Sequence, residues 1–358
     1  MTDTAIEKVA QLFTIHSRGL AATYADIENQ ALAQGRAFLA TPGSVLSRTN
    51  GGGFRYYALQ QYDKSGSKRE SYLAGPVGDP AADKIAEEAR RAASEQRDVV
   101  TSIRLLMREG YAALEPKHYA AIAALANHGL FSKGAGILVG THGFEVIANR
   151  MGIRASAFAT MDVDIGRAGK LGMKDVPEGG LLGILRDAGL EFERIPPLDH
   201  RERAVKIKEK GHSRFTVDLL VASRNDEYSA VHVPELDAYA TALPYFRYLI
   251  SETQPGAALS RLGCVAVRVP LAEKFAIHKL LVSQLRVGTG EKARKDLRQA
   301  AILIAALGEM FPGALEEAYS KTPVSARTRI RKSMVEAAKL LQDYPRARAE
   351  LDAIAAKR

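Results

Sequence analysis

Three short stretches decide how this chain is read: Val139-Gly140-Thr141-His142-Gly143, Thr160-Met161-Asp162-Val163-Asp164-Ile165 and Phe215-Thr216-Val217-Asp218-Leu219. Each has the apolar texture of a strand or a strand end. Side chains alternate along a strand, so Asp162 and Asp164 share one face while Met161, Val163 and Ile165 share the other. Two carboxylates forced side by side repel each other, and a divalent cation between them relieves the repulsion. Hard oxygen ligands suit Mg²⁺, with Mn²⁺ as a substitute. Asp218, between Val217 and Leu219, would complete a trio able to hold two ions about 4 Å apart, an arrangement suited to phosphoryl transfer. It is also the natural group to help take the proton of an attacking hydroxyl. Gly140 ends its strand without a side chain, so backbone can approach a phosphate, and the following helix offers free N–H groups and its positive end. The Thr141 hydroxyl can add a hydrogen bond. Asp-x-Asp by itself also occurs in solvated turns, and Gly-Thr after an apolar run is common. The order of the three stretches along the chain carries the inference.

Working outward, residues 135–139, 157–165 and 214–222 read as strands, with an extra strand over 191–195. Helices are expected over 143–150 and 179–188. Strands and helices that alternate without strict βαβ repetition suggest a small mixed α/β core over residues 126–235. Ahead of it, residues 4–40 read as helical, broken at Thr41-Pro42-Gly43-Ser44. Residues 45–74 read as a β-hairpin preceded by a flexible Gly51-Gly52-Gly53. That hairpin is basic and carries Phe54, Tyr56, Tyr57, Tyr62 and Tyr72, rings that could stack bases or simply pack on one sheet face. Residues 81–127 read as long helices interrupted at Pro116. These N-terminal elements span 1–125. From 236 to 358 the chain reads as mostly helical, cut into about five segments by Pro244, Pro255, Pro270, Pro312, Pro323 and Pro345.

Composition narrows the class. The 358 residues are 46% hydrophobic and 25% charged, a globular balance with room for a real core. One cysteine, Cys264, excludes a disulfide framework and a Cys-cluster zinc site, and its apolar neighbours make it an inert core residue. No apolar run is long enough to cross a membrane, and the first residues lack the basic flank and apolar stretch of a signal peptide. A cytoplasmic protein with no membrane partner is the expectation. The formal net charge is +9. From Ser251 onward there are 19 Lys/Arg against 11 Asp/Glu, so nearly all the excess lies in the last third. That favours a polyanionic partner, although a solvated helical surface gives the same count.

At the aspartate and glycine stretches the sequence resembles the DNA polymerase β-like nucleotidyltransferase superfamily, whose signature is a Gly-Ser or Gly-Thr strand end, then Asp-x-Asp/Glu, then a third strand carboxylate. The long gap from Thr141 to Asp162 looks more like the bacterial branch containing abortive-infection toxin nucleotidyltransferases. Those also carry Thr or Ser where Thr160 stands. Downstream, Pro270–Leu280 and Lys292–Ala300 resemble a helical pair of that branch that faces the nucleotide. The resemblance covers most of the chain. It implies an α+β fold with a small mixed-sheet nucleotidyltransferase core, an N-terminal helix and β-hairpin region and a C-terminal helical domain. It also implies that Lys274 or Lys279 meets the triphosphate, with Lys295 beside Asp296 and Asp296 orienting a neighbouring basic group. Read from helical geometry, Lys274 and Lys279 stand about 140° apart, so one would serve the phosphate and the other lie at the surface. Lys295-Asp296 also reads as a helical charge pair with Lys292. His142, at a helix start, reads as structural.

The function expected is a Mg²⁺-dependent nucleotidyltransferase, an EC 2.7.7-type enzyme moving an NMP from an NTP to an acceptor hydroxyl with release of pyrophosphate. RNA, tRNA, a protein or a small molecule could be the acceptor. The run Arg327-Thr328-Arg329-Ile330-Arg331-Lys332 favours RNA. The alternative is a non-catalytic nucleic-acid-binding protein on the same fold. An antitoxin or a second copy of the chain are further partners to consider.

Overall fold

The computed structural model describes residues 11–197, 199, 201–225, 227–286 and 290–356. Strand β1 (Phe13–Ile15) leads into helix α1 (Arg18–Ala33), where Leu20 N–H donates to the Ser17 cap. Strands β2 (Ser44–Thr49), β3 (Arg55–Tyr62) and β4 (Lys68–Ala74) form an antiparallel meander. Helices α2 (Pro80–Arg108) and α3 (Pro116–Asn127) each open on proline, where the missing N–H would have had no partner anyway. Then come β5 (Gly136–Leu138), α4 (Gly140–Arg150), β6 (Ile153–Ala155), β7 (Asp162–Arg167), α5 (Leu181–Asp187), β8 (Phe192–Arg194) and β9 (Lys206–Glu209). Strands β10 (Thr216–Ala222), β11 (Ser229–Val233) and β12 (Ala238–Leu243) follow, with short α6 (Phe246–Ile250) and a hairpin of β13 (Thr253–Ser260) and β14 (Gly263–Pro270). The chain closes with α7 (Ala272–Leu285), α8 (Gly290–Met310), α9 (Ala314–Ser320), α10 (Val324–Leu340) and α11 (Pro345–Ala356).

Among the described residues, seven strands make the central mixed sheet, in the order β11-β12-β10-β7-β5, with β9 paired to the start of β10 and β8 to β9. β7 and β10 run parallel, Asp162 opposite Thr216 and Asp164 opposite Asp218. Alternation sets what each face does. Val163, Ile165, Val217, Leu219 and Val221 are buried in the main core, while Asp162, Asp164, Thr216, Asp218 and Leu220 face a half-open side. Helix α7 packs against α6, α8 and α10 beside that side. Phe246 lies against Gly166, whose absent Cβ would come 3.1 Å from the ring. The architecture is α+β, a mixed-sheet core with a helical C-terminus.

A second, smaller core joins the N-terminal helices to the β13–β14 hairpin: Tyr24 and Ile27 of α1, Ile103 and Leu106 of α2, and Leu259 and Cys264. Tyr24 Oη donates to the Ala257 carbonyl at 3.0 Å. Cys264 is buried as expected, and burial pushes its thiol up to about 12.

Three sequence expectations change. Residues 236–270 are not mostly helical: apart from the short α6 they supply β12, β13 and β14, and β12 adds directly to β10 of the central sheet. The alternation of Val265, Val267 and Val269, β-branched and buried, outweighs the helical reading that the prolines suggested. Residues 13–15 are a strand paired with β6, and the expected helix begins at Arg18; positions 4–10 lie outside the described residues. The hairpin has a third strand, β2, and Gly51-Gly52-Gly53 lies in the β2–β3 turn.

Candidate active site

The end of β5 and the start of α4 are fitted to Asp164. Val139 N–H donates to the Asp164 carbonyl at 3.0 Å, aligning the two strands. Gly140 then takes φ +62°, a conformation that disfavours a side chain, and a Cβ there would collide with the Asp164 carboxylate. Both constraints require glycine. Helix α4 starts at Gly140 with no side-chain cap, so its first N–H groups remain available to an anion. Thr141 follows, buried.

The carboxylates are disposed as their alternation required. Thr216 Oγ1 donates to Asp162 Oδ1 at 2.9 Å, and Asp162 N–H donates to Thr160 Oγ1 at 3.4 Å, which ties down the first residue of β7. Burial, and then the Asp162 charge, raise the Asp164 carboxyl, with Lys279, His142 and Arg286 opposing the shift. Burial, Asp164 and Asp162 push Asp218 up to about 7. Its Oδ1 is buried without a hydrogen-bond partner. Among the described residues, no three acidic, imidazole or thiol groups already close round a single ion position.

A basic rim faces this trio. Asp296, buried on α8, accepts from Lys279 Nζ at 2.6 Å and from Arg286 Nε at 2.8 Å. Burial works to raise Asp296, yet Lys279 and Arg286 hold it below the ordinary value. Asp296 therefore pairs with Lys279 of α7 and with Arg286 just past its end, and not with Lys292 as the helical charge-pair reading had it. Lys295 Nζ donates to the Ala159 carbonyl at 2.9 Å, just ahead of Thr160. Lys206 stands opposite Asp218 on β9, and its charge together with that of Lys292 acts on that carboxylate.

Gly140, Thr141, Thr160, Asp162, Asp164, Asp218, Lys279, Lys295 and Asp296 thus come together. Lys274 does not join them, and it is not at the surface either. Its side chain is buried, ion-paired with Glu252, 2.7 Å from Ser251 Oγ and over the Tyr248 ring.

Sequence reasoning missed Arg286 and Lys206. Arg286 lies seven residues after Lys279, two helical turns along one face, a spacing that could have found it. Lys206 carried no local signal, because the β9–β10 pairing that presents it is not legible in either strand alone. His142 is buried, as its structural reading expects, and sits in a chain: its Nδ1 lies 2.8 Å from Glu145 and its Nε2 3.2 Å from His118 Nδ1.

Beside Arg286 opens a pocket of about 320 Å³, walled by Leu243, His278, Val282 and Leu285, with Tyr228 at its edge. Burial drives the His278 ring down to about 3, so it is neutral at physiological pH.

A carboxylate trio on adjacent strands faces a glycine strand end and a fixed pair of cations, an arrangement suited to phosphoryl transfer. Residues 117–324, more than half of the chain, match the family model described as nucleotidyltransferase, and the chain belongs to that family. The matched span runs from α3 to the start of α10 and holds every residue of the site. Comparisons with curated proteins and with solved structures give no match.

Proposed function

We propose that the protein transfers an NMP from an NTP to an acceptor hydroxyl, releasing pyrophosphate, with Asp162, Asp164 and Asp218 holding the divalent ions the reaction uses. One observation carries this reading: Asp164 and Asp218 stand in register on adjacent parallel strands, and Asp218 keeps a buried oxygen without a partner. An all-oxygen donor set fits Mg²⁺ or Mn²⁺. Bound there, two such ions would offset the charge of the triphosphate and lower the pKa of the attacking hydroxyl.

The chain's own residues supply the rest. The N–H groups at Gly140 and Thr141 bind phosphate oxygens at the positive end of α4. Lys279 and Arg286, each tied to one oxygen of Asp296, present fixed charge to the triphosphate with little left to reorganise. Lys295 guards the start of β7, and Thr160 and Thr216 hold Asp162 in place. The acceptor oxygen bonds to the α-phosphorus, the bond from that phosphorus to the β-phosphate bridging oxygen breaks, and the hydroxyl proton passes to Asp218. The apolar pocket beside Arg286 takes the base. Lys274 has no part here, since Glu252 occupies its charge.

The basic helices, including α10, favour RNA, with tRNA among the candidates, as acceptor. The likeness to abortive-infection toxins adds a biological role, a growth-arresting enzyme held in check by an antitoxin.

The test is label transfer with Mg²⁺ and total RNA, comparing NTPs labelled at the α- or the γ-phosphate. Transfer of the α-label alone, abolished by Asp162→Ala, is expected. Transfer of the γ-label, or equal activity in the variant, overturns the reading. RNA binding without transfer, unchanged when all three aspartates become alanine, would instead establish the non-catalytic alternative.

A further inference from the structure

The outer face of the meander carries a row of rings that the site does not use. Phe54 and Tyr56 are stacked with centroids 6.4 Å apart and planes 17° apart, and Tyr72 continues the row 5.6 Å from Tyr56. Phe54 is 43% exposed and Tyr72 62%. Tyr57, the next residue, turns the other way, buried against α2 with its hydroxyl donating to Asp83 at 2.8 Å. The two sides of the strand therefore divide the aromatics into packing and display.

The display is built. Gly75 lies beneath it, and a Cβ there would come 3.0 Å from Tyr56 Cβ and 3.2 Å from the Phe54 ring, so the rings rest on bare backbone. Arg48 stands opposite Tyr56 in register and is held by Glu70 through paired hydrogen bonds of 2.8 and 3.0 Å. Lys68 is exposed on the same face of β4 as Glu70 and Tyr72. Residues 44–74 contain five Lys/Arg against two Asp/Glu. Lys64, at the tip, donates to the carbonyls of Ala188 (2.6 Å) and Gly189 (2.7 Å), so the meander is pinned to the end of α5 in the sheet core.

Exposed rings rimmed by aliphatic side chains would suit a protein partner. Here the rim is charged and polar, Arg48, Lys68, Gln60 and Glu70, on a meander of net positive charge, which suits unpaired bases and their phosphates. A duplex hides its base faces inside its own stack, so the complementary ligand is single-stranded. We propose that this face binds single-stranded nucleic acid, with bases stacked on Phe54, Tyr56 and Tyr72 and phosphates against Arg48 and Lys68. Binding here goes beyond the nucleotidyltransferase reading and does not require it. If that reading holds, the Lys64 anchor keeps the bound strand in a fixed position relative to the aspartates.

Fluorescence anisotropy tests this on the full chain with labelled oligouridylate, oligothymidylate and a duplex of equal length. Both single strands should bind more tightly than the duplex, and the relative affinity of the first two identifies RNA or DNA as the preferred form. Phe54→Ala/Tyr72→Ala should weaken single-strand binding at least about tenfold. Tyr72→Phe, which keeps the ring, should stay within about twofold of the parent. Arg48→Gln/Lys68→Gln should weaken binding and flatten its salt dependence. NTP affinity, measured on the same variants, should not move, which separates this surface from the candidate active site. Unchanged single-strand binding in the double alanine variant overturns the proposal. So does equal binding of the duplex, or a dimer in the parent that the alanine substitutions dissociate without affecting nucleic acid.

Discussion

Gly140 concentrates the account at the scale of one residue. Its positive φ and the carboxylate of Asp164 each exclude a side chain. Gly140→Ala should cost about 2–5 kcal/mol, from the left-handed backbone and the overpacking together. Denaturant unfolding reads that loss, and label transfer should fall at least about a hundredfold in the same variant, because the strand end and Asp164 cannot both keep their places. A variant of parental stability and activity would mean that Asp164 does not need this contact. His278 gives the clearest pH signature. The folded chain holds it neutral down to about 3, whereas the unfolded chain takes up its proton near 6.5. Between those values the unfolded state binds more protons, so this stability is fully present above pH 6.5 and is lost as the pH falls through the window. The effect is on the order of 4 kcal/mol from the size of the shift. Unfolding free energy measured from pH 7 to pH 4 should drop more steeply for the parent than for His278→Gln. Parallel curves would show that another group sets the acid sensitivity.

Among elements, the α7–α8 pair depends on one buried carboxylate. Asp296 takes both Lys279 and Arg286, and it is the residue that makes two mobile cations into a fixed pair. Asp296→Ala leaves both charges without their partner and should destabilise the fold by about 3–5 kcal/mol. Lys279→Met, which keeps the stem and removes the charge, should instead raise the KM for NTP about tenfold or more with a smaller stability loss. Equal KM values for parent and Lys279→Met would remove this rim from nucleotide binding.

The elements also show what a sequence can carry. Asp162, Asp164 and Asp218 were legible because strand alternation is local, whereas the register that sets Asp164 opposite Asp218 exists only in the folded sheet. The strands over 253–270 were not legible, because Pro255 and Pro270 suggest helix punctuation and the alternating valines between them are few. The neutralisation of Lys274 by Glu252 depends on a contact between residues 22 positions apart in sequence, which no helical wheel displays. Lys206 reaches Asp218 through an antiparallel pairing that exists only in the folded sheet.

For the whole molecule, the uneven charge acquires distinct places. Lys279, Arg286, Lys295, Lys292 and Lys206 stand round the acidic trio, Arg48 and Lys68 beside the aromatic row, and the arginines of α10 on the C-terminal helices. The net charge of +9 therefore understates the local fields, since the three aspartates lie ahead of the basic last third and the fold brings Lys279, Arg286, Lys292 and Lys295 from that third round them. Asp218 links this scale to the chemistry. Its carboxyl is raised by burial and by Asp164 and Asp162, so an added divalent ion should stabilise the folded chain by binding it preferentially. Millimolar Mg²⁺ should raise the parent's Tm by a few degrees and leave Asp164→Asn/Asp218→Asn unmoved. An equal rise in both would place the ion elsewhere.

The central claim, that Asp162, Asp164 and Asp218 gather metal and triphosphate, is tested most directly in a crystal soaked with Mn²⁺ and an NTP analogue that cannot be cleaved at its α–β linkage. The account predicts anomalous density among the three aspartates, phosphates against Gly140 and Thr141 with Lys279 and Arg286 in contact, and the base toward His278 and Val282. Triphosphate bound elsewhere, or aspartates left empty at saturating Mn²⁺ and analogue, would contradict it.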